Sequence, residues 1–144
     1  DRVGRFGILT SRQKVHDKVT FLGGRDDIPD LLLAADTLVH PARSEAAGIV
    51  LLEAMVAGLP VIATAACGYA HHIEAAGAGI ILPEPFNQAS LNDALLQTMN
   101  AEFLAQCRAR GLAYAGREDL YSQHITGADI IEQVLSETVS VSDV

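Results

Sequence analysis

The sequence predicts an α/β fold, a Rossmann-like doubly wound parallel sheet, and two observations lead to it. Between residues 19 and 84, short strand-like runs alternate strictly with helix-like segments, and the connections are only a few residues long. The strand-like runs are nearly continuous in apolar residues, which is typical of parallel strands covered on both faces. Such a sheet has right-handed crossovers, so the topology is restricted as well.

Four strands are predicted from short runs that are rich in β-branched and apolar residues and end at turn-forming residues. In chain order they occupy residues 19–23, 37–42, 60–64 and a part of 77–84. The first run, VTFLG, leads into Gly24, and the second is halted by Pro41. These turn residues place the carboxyl end of each strand next to a loop.

Three helices are predicted to alternate with these strands, at residues 26–35, 48–58 and 69–76. Pro29 suits the start of the first helix, where the missing N–H would have no intrahelical partner. Gly58 and Gly77 follow the second and third helices, where a left-handed glycine commonly ends a helix.

After Pro85 the pattern changes to helices alone, predicted at 90–99, 101–115 and 119–135. Ser90 and Asp93 form a candidate capping box for the first of them. A further helix is predicted before residue 19, following a strand that has been cut away.

The 144 residues are predicted to form one domain, 1–144, in which 1–18 is a truncated start and 136–144 a frayed tail. A net charge of −8 argues against a broad basic surface for nucleic acid or for a membrane. No apolar run is long enough to span a bilayer. Cys67 and Cys107 show neither zinc spacing nor a disulfide framework, which favours reduced thiols in a cytoplasmic protein.

Two glutamates bracket the apolar run EAAGIVLLE. Glu45 lies in the loop after the second predicted strand, at the sheet edge where ligands of such folds bind, and Glu53 lies about two helical turns further on. If a helix began at Glu45, then Glu53 would lie roughly 12 Å further along its axis. A glycosidase pair needs about 5–9.5 Å, so these carboxylates suit the two ends of a long ligand instead. The small residues 46–48 between them would offer backbone N–H groups to an anion. The pattern matches a sugar, a phosphate and a ribose.

The segment HPARSEAAGIVLLEAMVAGLPVIAT, residues 40–64, resembles the donor-binding segment of retaining GT-B glycosyltransferases of the family 4 type. The hallmark of that family is a glutamate, seven residues and a second glutamate. Family members commonly have Pro-Phe-Gly after the first glutamate, where this chain has Ala-Ala-Gly. Further stretches, at 66–76, 83–92 and 119–122, are similar to the glucosyltransferases that build the lipopolysaccharide core.

The resemblance implies the C-terminal, donor-binding half of a GT-B fold. The implied reaction transfers glucose from UDP-glucose to a heptose of the lipopolysaccharide inner core, with retention of the anomeric configuration. UDP-glucose would be a substrate, and neither a metal nor a cofactor is expected. The acceptor would bind through a missing N-terminal domain, and the 144 residues alone would be inactive. The implied location is the cytoplasm, with the full-length enzyme peripheral on the inner membrane and this domain not inserted in it.

The resemblance also implies a role for individual residues. Glu45 would be the catalytic-site carboxylate and accept hydrogen bonds from hydroxyls of the donor hexose. Glu53 would bind the ribose hydroxyls. The backbone around the sugar and diphosphate would be that of Ala46, Ala47, Gly48 and Ile49, and the residues near the uracil would be Gly24 and Arg25. The family also places an Arg/Lys pair against the diphosphate, in a segment upstream of residue 1.

Several side chains keep two interpretations. His71 and His72 are expected in a structural or supporting role, with contact between His71 and the donor as the alternative, because adjacent helix positions diverge too far to share a metal ion. Arg43 is either a solvated loop charge or a support for the site. Arg25 contacts the base or forms an ion pair with Asp26 or Asp27.

Three further residues or runs are assigned structural roles. Cys67 is expected to be a small loop residue rather than a nucleophile. His40 is expected to pack at the sheet edge, and residues 31–36 to belong to the core. At the level of function, a non-catalytic nucleotide-sugar-binding module and a related glycosyltransferase with another donor sugar remain the alternatives. A dinucleotide-dependent dehydrogenase is disfavoured because no G-x-G-x-x-G sequence opens the first helix.

Overall fold

The structure is a computed structural model and describes residues 2–120 and residue 122. Its strands are β1 (Leu38–His40), β2 (Val61–Thr64) and β3 (Gly79–Leu82). Its helices are α1 (Arg2–Arg12), α2 (Ile28–Ala34), α3 (Ile49–Val56), α4 (Ala70–Ala76), α5 (Gln88–Gln97) and α6 (Ala101–Ala115), with a short 3₁₀ turn at His16–Lys18.

The three strands form one parallel sheet in the order β1-β2-β3, with Leu38 opposite Val61 and Ile62 opposite Ile80. Every residue of the central strand β2 is buried. Val61 packs into a core cluster with α3 and α4, while Ile62 packs into a second cluster with α5. Helices therefore cover both faces of the sheet, and the predicted doubly wound α/β class is confirmed.

The prediction that two glycines end their helices is confirmed. Gly58 follows α3 with φ +72°, and Gly77 caps α4 with φ +62°, a left-handed conformation that costs a glycine little. Pro29 lies in the first turn of α2, as predicted. These residues lie at the helix ends, where short connections join the helices to the strands of the sheet.

The prediction of a strand at 19–23 is wrong within the described structure. Val19, Phe21 and Leu22 are 40–50% exposed and belong to no ladder. Strand-type residues form a strand only when a neighbouring strand accepts their backbone hydrogen bonds. Among the described strands β1 pairs with β2 alone, so nothing pairs with 19–23.

Three smaller corrections concern helices. The run 31–36 belongs to the core only in part: Leu32 and Ala35 are partly buried and pack against the core cluster, but α2 contains no fully buried residue and Leu33 is 64% exposed. Helix α5 is capped by Asn87, whose side chain accepts hydrogen bonds from two backbone N–H groups, rather than by a Ser90–Asp93 box. An asparagine one turn earlier offers the same acceptor, and the helix starts there. The predicted helix 119–135 and tail 136–144 lie outside the described residues except for Asp119, Leu120 and Ser122, which are not helical.

Within the described part of the chain, no helix combines the length and the apolar character that crossing a bilayer requires.

Candidate functional site

The loops that follow β1 and β2 are joined to each other at the carboxyl edge of the sheet. Glu45 and Cys67 form a parallel β-bridge beyond the strand ends. The N–H of Tyr69 donates to the carbonyl of Ala47 at 2.9 Å. The two predicted ligand-binding loops are therefore one backbone unit, which confirms Cys67 as a buried structural residue of the loop.

These two loops lie so close together at position 68 that only glycine fits there. A Cβ atom at this position would overlap the carbonyl oxygen of Ala46. Gly48 is constrained in another way, because its φ of +78° is a conformation that side-chain-bearing residues rarely adopt. The sequence shows the two glycines but not the contact that explains the first of them.

Helix α3 begins at Ile49, with Gly48 as its N-terminal cap residue. Residues 45–47 therefore lie in the loop, and the premise of a helix that starts at Glu45 is wrong. The left-handed Gly48 turns the chain into the helix and separates the glutamate from it. The first N–H groups of α3 have no partner inside the helix and lie next to this loop.

A hollow of about 340 Å³ opens at this edge, and we call it the Glu45 hollow. Its lining includes Glu45, Ala46, Cys67, Gly68, His71 and Glu74. Glu45 is half-buried there, at 36% side-chain exposure. The hollow thus combines two carboxylates, one imidazole and a floor of backbone and small side chains, a polar lining suited to a hydroxyl-rich ligand.

His71 lines the Glu45 hollow, while its neighbour His72 does not. The Nδ1 of His71 lies 2.8 Å from the carbonyl oxygen of Gly68 and must donate to it, since a carbonyl only accepts. His72 is buried, and its Nδ1 lies 3.0 Å from the hydroxyl of Tyr114. Burial, with the nearby His71 as a second cause, lowers the pKa of His72 below its ordinary value. The structural role is thereby confirmed for His72.

Glu53 lies in a different hollow, of about 380 Å³, between α2 and α3. We call it the Glu53 hollow; its lining consists of Ile28, Pro29, Leu32, Leu33, Glu53, Val56 and Ala57. Glu53 is the charged residue among these, and the other walls are apolar. The two glutamates therefore face separate environments, in agreement with the prediction that they do not act on one atom.

Gly24 and Arg25 line neither of these hollows. Arg25 instead donates two hydrogen bonds to the carboxylate of Asp27, the Nε bond at 2.6 Å. This pair raises the pKa of Arg25 and lowers the pKa of Asp27. Of the two interpretations of Arg25, the ion pair is the one present in the structure.

Arg43 is exposed and lines another hollow, with Glu84, Pro85 and Phe86.

His40 has a neighbour that the sequence did not reveal. Its Nε2 lies 3.8 Å from Oε2 of Glu45. Its position in the sequence could have revealed it, because His40 is the last residue of β1 and so lies at the edge where ligands bind.

The sequence analysis also missed Glu74 as a residue of the site. It follows His71 by three residues on α4, a spacing that places both on one helix face. Among the described residues, no group of three or more metal-ligating side chains could hold a metal ion.

Residues 9–118 match the family model of glycosyl transferases group 1. The chain is 46% identical over 91% of its length to the lipopolysaccharide glucosyltransferase WaaG of Escherichia coli K12 and covers 35% of that protein. It is 30% identical over 80% of its length to the N-acetyl-alpha-D-glucosaminyl L-malate synthase of Bacillus anthracis and covers 29% of it.

Two solved structures extend these findings. The crystal structure of WaaG, a glycosyltransferase involved in lipopolysaccharide biosynthesis, superposes with a TM-score of 0.83 at 45% identity, over 88% of this chain and 35% of that one. Anabaena Alr3699/HepE in complex with UDP-glucose superposes with a TM-score of 0.70 at 27% identity, over 96% of this chain and 36% of that one. The chain thus spans about a third of the length of the relatives it matches.

Proposed function

This chain belongs to the glycosyl transferases group 1 family and has the GT-B type of fold, and from that premise we propose that it is the donor-binding half of a glucosyltransferase. The proposed reaction transfers glucose from UDP-glucose to a heptose of the lipopolysaccharide inner core, with retention of the anomeric configuration. One observation carries the proposal: the two glutamates of the hallmark face two hollows of opposite character, one polar and one apolar.

The Glu45 hollow is the proposed sugar site. A hexose presents hydroxyl groups that donate hydrogen bonds, and a carboxylate accepts them with roughly twice the strength of a neutral acceptor. Ala46 and Gly68 leave the backbone accessible at the floor, so the ligand approaches it closely. In this proposal Glu45 holds the hexose while the bond to the diphosphate breaks, and His71 supports it from α4.

The Glu53 hollow is the proposed nucleoside site. Ile28 and Leu32 give an apolar wall for the face of a base, and Glu53 offers carboxylate oxygens to the two ribose hydroxyls. Gly24 and Arg25 are proposed to approach the uracil only if the loop that carries them moves, because Arg25 is paired with Asp27.

The diphosphate would lie between these two sites, next to the N-terminus of α3. The backbone N–H groups in the first turn of α3, beginning with that of Ile49, have no acceptor from a preceding helical turn and favour an anion there. The described lining of the Glu45 hollow contains no lysine or arginine, and it contains two carboxylates. Most of the compensating positive charge would then come from the Arg/Lys pair that the family resemblance implies for the full-length protein.

The remaining partners follow from the same likeness. WaaG is a glucosyltransferase of lipopolysaccharide, which supports a lipopolysaccharide core acceptor for this protein as well. HepE was solved with UDP-glucose, which supports this donor. We expect no metal and no cofactor, and a cytoplasmic enzyme that is peripheral on the inner membrane.

A panel of donors tests the proposal in the full-length protein. We expect UDP-glucose to raise the melting temperature more than UDP, and more than UDP-galactose or UDP-N-acetylglucosamine, because a tighter ligand stabilises the folded state more. A larger shift with UDP-N-acetylglucosamine would favour the chemistry named for the Bacillus relative. No shift with any UDP derivative would contradict the proposal.

Turnover separates an enzyme from a binding module. Labelled glucose should move from UDP-glucose to a heptosylated lipopolysaccharide acceptor in the full-length protein, and the 144 residues alone should transfer none. Donor binding without transfer to any heptose acceptor would favour the non-catalytic module. Transfer by the 144 residues alone would overturn the assignment of the acceptor site to another domain.

A further inference from the structure

His40 carries a polar atom that its surroundings leave without a partner. Its Nε2 is buried, and it makes no hydrogen bond in the described structure. Leaving a buried donor or acceptor unsatisfied costs free energy, so such an atom calls for an explanation. The carboxylate of Glu45 lies close to it, with Oε2 at 3.8 Å.

Of the two groups, the Glu45 side chain is the one that would move to form a hydrogen bond. At 3.8 Å the pair is too long for a hydrogen bond, which requires about 2.7–3.2 Å. The backbone of His40 is fixed, since it lies opposite Ala63 in the sheet. Glu45 lies in a loop, and its side chain is 36% exposed. A rotation of the Glu45 side chain therefore closes the gap, while the imidazole provides a fixed point.

We propose that His40 is a positioning residue for Glu45, in which the Nε2–H of the ring donates to Oε2 of the carboxylate. This rests on the proposed function, in which Glu45 holds the donor hexose. A carboxylate has two oxygens, so a fixed donor on one of them leaves the other directed into the Glu45 hollow for the sugar hydroxyls. Orienting the group before the sugar binds removes an ordering cost from binding.

Two amide variants of His40 make a matched test in the full-length protein. In His40→Gln the amide nitrogen reaches about as far as Nε2, while in His40→Asn it reaches only about as far as Nδ1. We expect His40→Asn to weaken UDP-glucose about tenfold, or about 1.4 kcal/mol, and to leave UDP unchanged, because the shorter side chain loses its hydrogen bond to the Glu45 carboxylate. We expect His40→Gln to restore most of the loss. Calorimetric titration with UDP and with UDP-glucose measures both.

The outcomes separate this inference from the function on which it rests. Equal affinities of the Asn and Gln variants, or equal losses for UDP and UDP-glucose, would assign His40 a purely structural role and overturn the inference. Should His40→Asn fail to fold, the cycle of His40→Ala, Glu45→Gln and the double variant decides instead: losses of UDP-glucose affinity that do not add support the pairing, and additive losses overturn it. A Glu45→Gln variant that keeps the full preference for UDP-glucose over UDP would overturn the proposed sugar site, and the role of His40 with it.

Discussion

The Glu45 hollow and the Glu53 hollow lie at the two ends of one sequence hallmark, but different parts of the chain build their walls. The first is formed by two loops that share a β-bridge and a backbone hydrogen bond, together with the first turns of α4. The second is formed by side chains of α2 and α3, and α2 contains no fully buried residue. We infer that backbone geometry sets the sugar site, while side-chain surface sets the nucleoside site. The two should then respond differently to substitution.

Gly68→Ala should have the largest effect and should act on the Glu45 hollow. The new Cβ overlaps the carbonyl oxygen of Ala46, so the two loops must separate. We expect the free energy of unfolding to fall by about 1–3 kcal/mol, as overpacking typically costs, and UDP-glucose binding to weaken with it. Gly7→Ala is the matched control, because a Cβ there meets no atom within 4 Å. A wild-type denaturation midpoint for Gly68→Ala would refute the interlocked-loop description.

Substituting the two glutamates should give opposite patterns. Glu53→Ala should weaken UDP itself, whereas Glu45→Ala should spare UDP and abolish the extra affinity of UDP-glucose. Each loss should be about tenfold or more, the value of hydrogen bonds to a charged group. Calorimetry with both ligands measures this, and Asp93→Asn on the exposed side of α5 serves as a control. Equal losses for both ligands in both variants would show that the hollows are not separate sites.

Leu33→Ser should affect the Glu53 hollow alone, and more weakly. Leu33 lines that hollow and is 64% exposed. The substitution therefore removes an apolar contact with the ligand and costs little stability. We expect UDP and UDP-glucose to weaken together by roughly threefold, at about 25 cal/mol per Å² of apolar contact. Leu96→Ser on α5, 69% exposed and outside both hollows, should change neither affinity. A loss confined to UDP-glucose would argue against the nucleoside site.

The smallest effect should come from lowering the pH, which should reduce stability through the buried His72 of α4. Because burial lowers the pKa of His72, the folded state binds the proton less readily than the unfolded state. The contribution of His72 to stability is complete above its ordinary pKa and is lost as the pH falls from that value towards the lower, folded pKa. Melting temperatures at pH 7.5 and 5.5 should therefore differ more in the wild type than in His72→Gln. His16→Gln, at an exposed position, should retain the wild-type difference.

Most of the fold was predictable because local signals agreed with one another. Gly58 and Gly77 end their helices as expected, and the apolar runs that became β1, β2 and β3 are short and continuous. The failures share one cause. Residues 19–23 and Leu33 of α2 look like strand and core by composition, but burial depends on a neighbour that composition does not contain.

The sequence by itself determined the α/β class, the family and the pair of glutamates that follows β1, since these follow from periodicity and from a nine-residue motif. Only the tertiary structure decided that Glu45 lies outside the helix, that Glu53 faces a separate apolar hollow and that Arg25 is paired with Asp27. It also decided that His40 stands beside Glu45. The physical reason is that a spacing along the chain fixes distances only within one regular element, whereas a left-handed glycine at position 48 and a bridge between two loops redirect the chain between elements.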